Sequence, residues 1–479
     1  MNKINTAQLL DLLRKKQWKE SLCWTRGATD QPIFLQAMLR DLTARRATFL
    51  AEYQGKKSII KLFYDKQGPR HARREMRGLE LLQQCDIATS TVLEYTMLED
   101  SILLVLSYLE NTHTVATQWG SWNDQQKKEC LSSILQQLAK MYQQGVCHND
   151  LHLDNILTDE KQIYIIDGME VKCVRKIGFL SHRTQLNNLA DFFVQFSTID
   201  QELLWTILTE NAPQVFAFNA SSIRLLQKKI IQKSLYRQRK TQSKAWRECS
   251  AFTLGKLGSY KYVVAVEQKE SVATMFNHFA QQPETYFEIL QHGKANNIFR
   301  YQWNERDWVV KQYSARSWWH GLKHSIKDTH AALSWQNANR LQSLQILTAK
   351  PIAVLQKKWG VLQHRDYFIM EYVPGQTLQD YLHSFCDLHE QQQMIAKVVQ
   401  TINALKQNRL CHRDIKSQNF QVCGDKLYLL GLDNLRVYPW KLLFTRTFNK
   451  DVKQFLKIWR NRPVLQQAFV TAFKESGLL

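Results

Sequence analysis

Apolar and polar positions follow one order along this chain, and the order occurs twice. The run Ser58-Ile-Ile-Lys-Leu-Phe-Tyr64 is β-branched and aromatic around a single lysine. Such a run reads as a buried strand, and Trp308-Val-Val-Lys-Gln-Tyr313 repeats it. Each is followed by a helical stretch and then by a hinge-like run, Ile102–Leu109 and Tyr367–Gly375. A longer helical pattern comes next, Gln125–Gln144 and Glu390–Gln407. A polar loop and a short β-like stretch close each copy, Gln162–Ile166 and Lys426–Leu430. Between the copies, Ile223–Trp246 sets Leu225, Leu226, Ile230, Ile231 and Leu235 among Lys and Arg, with no acidic residue. It predicts a basic amphipathic helix at the domain boundary. The expected organisation is a first domain over 1–222, a helical linker over 223–247 and a second domain over 248–479. No Pro/Gly/Ser-rich linker separates them, so the domains are expected to pack together.

The polar loops carry the most specific pattern. Val146-Cys-His-Asn-Asp-Leu-His-Leu-Asp-Asn-Ile-Leu157 and Leu410-Cys-His-Arg-Asp-Ile-Lys-Ser-Gln-Asn-Phe-Gln421 hold His, Asp and Asn at identical spacing. His148, Asp150 and Asn155 recur as His412, Asp414 and Asn419. Further on, the stretch Arg183–Phe193 echoes Arg446–Leu456. One His-x-Asp means little; the same ordered series twice is a duplication. Strand with Lys, helix, strands, hinge, helix, His-x-Asp loop and short strand is the order of a protein-kinase-like fold. The expected class is α+β: two tandem kinase-like domains, each a small β-rich lobe followed by a helical lobe.

Phosphoryl transfer needs positioning and charge neutralisation more than covalent help. The first domain has a candidate for each role. Lys61 is the phosphate lysine, and Glu75 its helix partner, with Glu80 as rival. Asp150 is the catalytic base, and Asn155 and Asp167 are Mg²⁺ ligands. His152 follows Asp150 by two positions, within reach of a γ-phosphate. The expected cofactors are ATP and Mg²⁺. The second domain keeps Lys311, Asp414 as the catalytic counterpart and Asn419 as a metal ligand, with Lys416 in place of His152. Gly431 stands where Asp167 stands in the first copy, and Asp433 comes two residues later. The helical stretch Ala331–Leu341 has no carboxylate. Either Asp433 substitutes through a shifted loop, or this domain is weak or inactive.

Composition narrows the partners. The chain has 479 residues, a formal net charge of +21 and 44% hydrophobic residues, enough for two packed cores and basic enough to favour anionic partners. No recognised nucleic-acid module appears, and no nucleic-acid partner is expected. The 9 cysteines form no Cys-x-x-Cys pair, which points away from zinc and disulfides and toward a reducing cytoplasm. Met1–Glu20 is charged and partly helical, with no apolar signal core, and Ile102–Leu106 is far too short to span a bilayer. Neither standard export nor membrane integration is expected.

Both halves resemble the lipopolysaccharide core kinases, the heptose and Kdo kinases of Gram-negative bacteria. In the first domain the resemblance rests on Lys61-Leu-Phe, Arg74–Leu82, His148–Leu157 and Arg183–Phe193. In the second it rests on Gly293–Arg300, Trp308–Lys311, Ala332–Leu341 and the His412 loop. It spans most of residues 40–460. It implies phosphorylation of an inner-core sugar at the cytoplasmic face of the inner membrane. The implied partners are core lipopolysaccharide or another anionic glycolipid, and an anionic membrane surface. Neither half has a full Gly-rich loop, and Asn149 precedes Asp150.

Alternatives stand beside these readings. His412-Arg-Asp-Ile-Lys416 reads like a Ser/Thr protein kinase loop, although no Ala-Pro-Glu segment follows Asp167 or Gly431. A nucleotide-binding pseudokinase regulator is the non-enzymatic alternative. Asn188 and Asp451 either cap the catalytic loops or are surface polar residues. Cys147 and Cys411 read as small packing residues. Trp318, Trp319 and His320 read as core packing or as a membrane or sugar contact. In the basic helix, Leu226, Ile230 and Ile231 either enter a lipid surface beside Lys228, Lys229 and Lys233 or pack inward.

Overall fold

The computed structural model describes residues 3–479 except 19–20, 28–30, 43–44, 174–177, 217, 282, 294–295, 315–328, 360–361 and 385–386. Trp318, Trp319, His320 and Cys386 lie outside the described residues. The chain divides into two compact units, Met1–Gln195 with Glu202–Lys229, and Phe196–Gln201 with Ile230–Leu479. The division falls within the helix Ala220–Lys244.

Unit 1 begins with β1 (Lys3–Asn5), α1 (Thr6–Arg14), β2 (Leu22–Thr25), β3 (Ile33–Leu42), β4 (Arg46–Tyr53) and β5 (Lys56–Phe63). It continues with α2 (Gly68–Gln84), β6 (Val92–Leu98) and β7 (Ser101–Ser107). The strands form one 7-stranded sheet in the order β1-β2-β3-β4-β5-β7-β6. Alternation along β5 explains its place. Ile60 and Leu62 enter a core with Trp24, Ile33, Leu35 and Phe49. Lys61, between them, takes the opposite face, where it meets α2. Helix α2 buries Ala72, Glu75, Leu79 and Leu82, one stripe at helical spacing with a carboxylate inside it.

The helical part of unit 1 opens with Asp124–Gln143, started by a capping box between Asn123 and Gln126. Gly145, at φ 71°, turns the chain into the strand Val146–His148. That strand pairs antiparallel with Val171–Cys173, and the polar loop lies between the two. The helix Gly178–Phe193 follows, and Thr198–Val215 belongs to unit 1 from Glu202 onward.

Unit 2 repeats the plan. Phe287–His292, Asn296–Trp303, Arg306–Ser314, Pro351–Trp359 and Leu362–Glu371 pair in the same relative order as β3, β4, β5, β6 and β7. The helix His330–Ser343 takes the place of α2, and Leu388–Gln407 precedes the second polar loop. The additions differ. In unit 1, β1 and β2 extend the sheet beyond β3. In unit 2, the hairpin Phe252–Leu257/Tyr260–Ala265 extends it from Pro351–Trp359, at the opposite edge of the common five strands.

The basic helix forms over Ala220–Lys244, but much of its expected lipid-facing side is covered. Leu226 is 0% and Ile230 8% exposed. The buried Lys229 donates from Nζ to Asn187 Oδ1 at 2.6 Å. Insertion of Leu226 and Ile230 into lipid is therefore corrected: an apolar side chain already out of water gains nothing further from a bilayer. No described helix is long and apolar enough to cross a membrane.

Candidate active site

In unit 1, four charged side chains from four segments converge. Lys61 Nζ lies 2.5 Å from Glu75 Oε1 and 3.7 Å from Asp167 Oδ1. Arg46, at the start of β4, lies 4.0 Å from Glu75 Oε2 and 3.9 Å from Asp167 Oδ2. Two cations thus face two carboxylates. Lys61 is 9%, Arg46 6% and Glu75 0% exposed. Burial pushes the Glu75 carboxyl up, and the neighbouring Asp167 charge adds to this while Lys61 opposes it. Burial pushes Asp167 in the same direction, but Lys61, the Glu75 contact and Arg46 outweigh it and hold Asp167 well below the usual carboxylate range.

Backbone close approach places these groups. Asp167 has φ 65° and starts a 3-10 turn, Gly168–Glu170. Gly168 N–H donates to Glu75 Oε1 at 3.2 Å. Gly78 of α2 lies against Gly168; a Cβ on Gly78 would collide with the Gly168 carbonyl oxygen. Glycine at both positions lets the helix seat its glutamate beside Lys61.

The loop bearing Asp150 is tied from several sides. His148 is fully buried, and its Nε2–H donates to Ile166 O at 3.1 Å. Its Nδ1 accepts the Asp150 N–H at 3.3 Å, so the ring is the neutral Nε2–H tautomer. Burial pushes its pKa down. Asn155 Nδ2 donates to Asp150 O at 2.9 Å. Asn188 Nδ2 donates to His148 O at 2.7 Å and its Oδ1 accepts from Tyr142 at 2.8 Å, so Asn188 caps the loop. The Asp150 side chain is 63% exposed, with His152 Nε2 at 3.8 Å. His152 Nδ1 lies 3.4 Å from Asp154, so it sits at the mouth of the site beside two carboxylates.

Unit 2 copies the loop and alters the charges. His412 Nε2–H donates to Leu430 O at 2.9 Å, and Asn419 Nδ2 to Asp414 O at 2.7 Å. Asp451 accepts the Arg413 N–H at 3.0 and 3.2 Å, capping this loop with a carboxylate. Lys416 Nζ pairs with Asp414 Oδ1 at 2.7 Å, closer than His152 comes to Asp150. Gly431 has φ 70° and starts the turn Leu432–Asn434, the backbone of Asp167 without its carboxylate. Asp433 pairs instead with His330 Nδ1 at 3.3 Å. Burial pushes Asp433 up, but His330 and Lys311 outweigh it and the net shift is downward. Burial lowers Lys311, with Asp433 opposing.

The helix partner is also replaced. The turns ending the two helices match: Ile87 N–H bonds Leu82 O, and Ile346 N–H bonds Leu341 O. Aligned on them, Ser334 stands where Glu75 stands and Asn337 where Gly78 stands. Ser334 Oγ bonds the Tyr313 hydroxyl at 3.1 Å rather than Lys311. Asn337 Nδ2 donates to Leu432 O and Leu435 O at 2.8 and 3.0 Å, filling the gap that Gly78 and Gly168 close by contact.

Metal chemistry fits unit 1 better. Asp167 Oδ1 is buried without a hydrogen-bond partner, and with the Asn155 amide oxygen it makes a hard-oxygen donor set suited to Mg²⁺. No described group of three or more His, Cys, Asp or Glu side chains would hold a metal alone, so phosphate oxygens and water would complete such a shell. In unit 2 the Asn419 oxygen stands at this place without a carboxylate at position 431, and a Cβ on Gly431 would lie 2.6 Å from it.

Arg46 was absent from the sequence-derived set. It pairs with Phe63 across the sheet, two residues beyond Lys61, at the turn where a Gly-rich loop would lie. The pair Arg45-Arg46 at that turn was its only sequence signal.

A strand-borne lysine and helix glutamate, a loop aspartate and asparagine, and a following aspartate define a protein-kinase-like domain. Consistent with this, the chain matches the protein kinase domain family over residues 51–175 and again over 322–427. Two such domains therefore stand in tandem, each with a β-sheet lobe and a helical lobe. The family is one of ATP-dependent phosphotransferases, and nucleotide use goes with the domain. Comparison with curated proteins finds no significant match.

Proposed function

We propose that unit 1 transfers phosphate from ATP to an alcohol oxygen and that unit 2 has lost most or all of this activity. The observation that carries the reading is the Lys61–Glu75–Asp167 cluster beside the Asp150–Asn155 loop. Lys61 and Arg46 would hold phosphate oxygens, Arg46 supplying charge where a Gly-rich loop would supply backbone N–H groups. Asp167 and Asn155 would hold Mg²⁺, which when bound neutralises the phosphate charge. Asp150 Oδ would orient the acceptor hydroxyl and accept its proton. His152 would add positive charge at the mouth when protonated. In unit 2, Lys311 and Lys416 would still hold an anion, but Asp414 is engaged by Lys416 and lacks a metal-binding carboxylate nearby.

For the acceptor we favour a sugar hydroxyl of the lipopolysaccharide inner core, reached by a protein peripheral to the cytoplasmic membrane face. Two features support a non-peptide acceptor. Asp167 and the helix Gly178–Phe193 are separated by about ten residues, as are Gly431 and Lys441–Ile458. Neither interval has room for the long segment on which protein kinases dock peptides. The +21 charge suits an anionic glycolipid. The family match favours a second reading, a protein Ser/Thr kinase. Radiolabelled ATP, Mg²⁺ and the full chain would be incubated with detergent-dispersed core lipopolysaccharide, and separately with bulk protein. Label in the lipid fraction that disappears with Asp150→Asn is expected. Label in protein alone would replace the sugar reading, and no Asp150-dependent label in either would remove the enzyme reading.

A further inference from the structure

The helix Lys441–Ile458 of unit 2 begins with exposed apolar side chains. Trp440 is 74%, Leu442 83% and Leu443 48% exposed. A single exposed leucine is ordinary, but three large apolar residues within four positions make a patch. Phe444, Phe448, Val452 and Phe455 anchor the inner face of this helix in the core. Its outer face continues from Leu442 through Arg446, Lys450, Lys453 and Lys457, all exposed. None of these four cations forms an ion pair among the described residues. From Asn434 to Arg462 there are 8 Lys and Arg residues and one acidic residue. That residue, Asp451, is buried and spent on Arg413.

We infer that this end of the helix docks on an anionic lipid surface. Trp440, Leu442 and Leu443 enter the headgroup boundary, and Arg446, Lys450 and Lys453 face the lipid phosphates. The inference rests on the reading of a kinase working at a membrane face, and it assigns a surface to that contact. Exposed Trp and Leu beside unpaired cations match an interfacial amphipathic helix: the apolar tip leaves water, and the cations meet the negative surface potential. An acidic protein partner would satisfy the cations, but the exposed Trp440, Leu442 and Leu443 call for an apolar layer beside the anionic one, which a headgroup boundary supplies. The patch also lies near the second catalytic loop. Leu410–Cys411, just before His412, pairs with Arg436–Val437, and only Tyr438 and Pro439 separate that strand from Trp440.

The test is co-sedimentation of the full chain with vesicles of phosphatidylcholine alone or with one part in three phosphatidylglycerol. Binding to the anionic vesicles only, weakened by high salt, is expected. Arg446→Glu/Lys450→Glu/Lys453→Glu would weaken it about a hundredfold or more. Leu442→Ser/Leu443→Ser would weaken it about tenfold. All five residues are exposed, and circular dichroism and melting would verify that each variant is folded. Unchanged binding by both variants, or no vesicle binding by the parent chain, overturns the inference. Loss of binding in Lys228→Glu/Arg239→Glu/Lys240→Glu with none in the patch variants also overturns it, placing the contact on the other helix. The detergent-dispersed transfer assay needs no vesicle. Vesicle binding without transfer would therefore sink the kinase reading alone, and transfer without vesicle binding would sink the docking alone.

Discussion

The two lysine pockets differ far more than the loops beneath them. In unit 1, Lys61 meets Glu75 and Asp167, with Arg46 completing a four-charge cluster. In unit 2, Lys311 retains its strand position, but Ser334 replaces the glutamate, Gly431 replaces the aspartate, and Asp433 turns to His330. Yet Asp167 and Gly431 share a left-handed backbone, and each asparagine braces the carbonyl of its loop aspartate. Duplicated domains can thus keep a scaffold and lose its charges. Backbone hydrogen bonds hold the loop whatever the side chains do, whereas a buried charge that loses its partners is penalised, as the lowered pKa of Lys311 shows.

The sharpest contrast should come from the loop aspartates. Asp150→Asn is expected to lower ATP-dependent transfer about a thousandfold, within the range of general-base losses. Asp414→Asn should change it less than about twofold. Equal losses in a steady-state transfer assay would abolish the distinction between the units.

Glu75→Ala comes next. It strands Lys61 in a buried site, and breaking one side of a buried pair costs about 3–5 kcal/mol. Denaturant unfolding of the full chain should show this loss in unit 1, with transfer falling as well. Ser334→Ala removes only a neutral hydrogen bond to Tyr313 and should cost about 1 kcal/mol. A loss of similar size at both positions would mean that Ser334 does more than bond Tyr313.

The close approaches test the same contrast sterically. Gly78→Ala drives a methyl into the Gly168 carbonyl and should cost about 1–3 kcal/mol, with Lys61–Glu75 displaced and transfer reduced. Asn337→Ala opens space in unit 2, removes one of the donors to each of two carbonyls and the acceptor of the buried Arg340 guanidinium, and should lower stability by a similar amount without touching transfer. Gly431→Asp suits the backbone, since Asp167 adopts the same φ, but its Cβ displaces the Asn419 amide. Isothermal titration should therefore detect little new Mg²⁺ binding in that variant.

The histidines should give the smallest effect and a common one. Burial lowers the pKa of both His148 and His412. The unfolded chain then takes up their protons first. Their stability contribution is full above about pH 6.5 and declines below it, by up to about 1.4 kcal/mol per pH unit for each histidine. Melting temperatures from pH 7.5 to 5 should fall, and His412→Gln should flatten the slope.

The duplication and its His, Asp and Asn spacing were readable from the residues, because a loop closed by local hydrogen bonds keeps its spacing. The helices before each loop were readable too: Gln125–Gln144 was expected and Asp124–Gln143 formed. The capping roles of Asn188 and Asp451 were posed as one of two readings, and the hydrogen bonds choose it. For Leu226 and Ile230 the lipid-facing reading was the leading one and interior packing its rival, and burial overturns it, since helical periodicity marks an apolar face without saying what covers it.

What the amino-acid order alone determined was which side chains each unit owns and their order along strand, helix and loop. Tertiary structure decided which of them meet. Arg46 joins Glu75 and Asp167 only because β4 pairs with β5 beneath α2. Ser334 is the counterpart of Glu75 only once the helix ends are matched by their turns, since intervening lengths differ between the units. The two added sheet extensions sit on opposite edges for the same reason. Pairing of distant segments depends on complementary surfaces and backbone hydrogen bonds formed across long stretches of chain, and no local pattern records it.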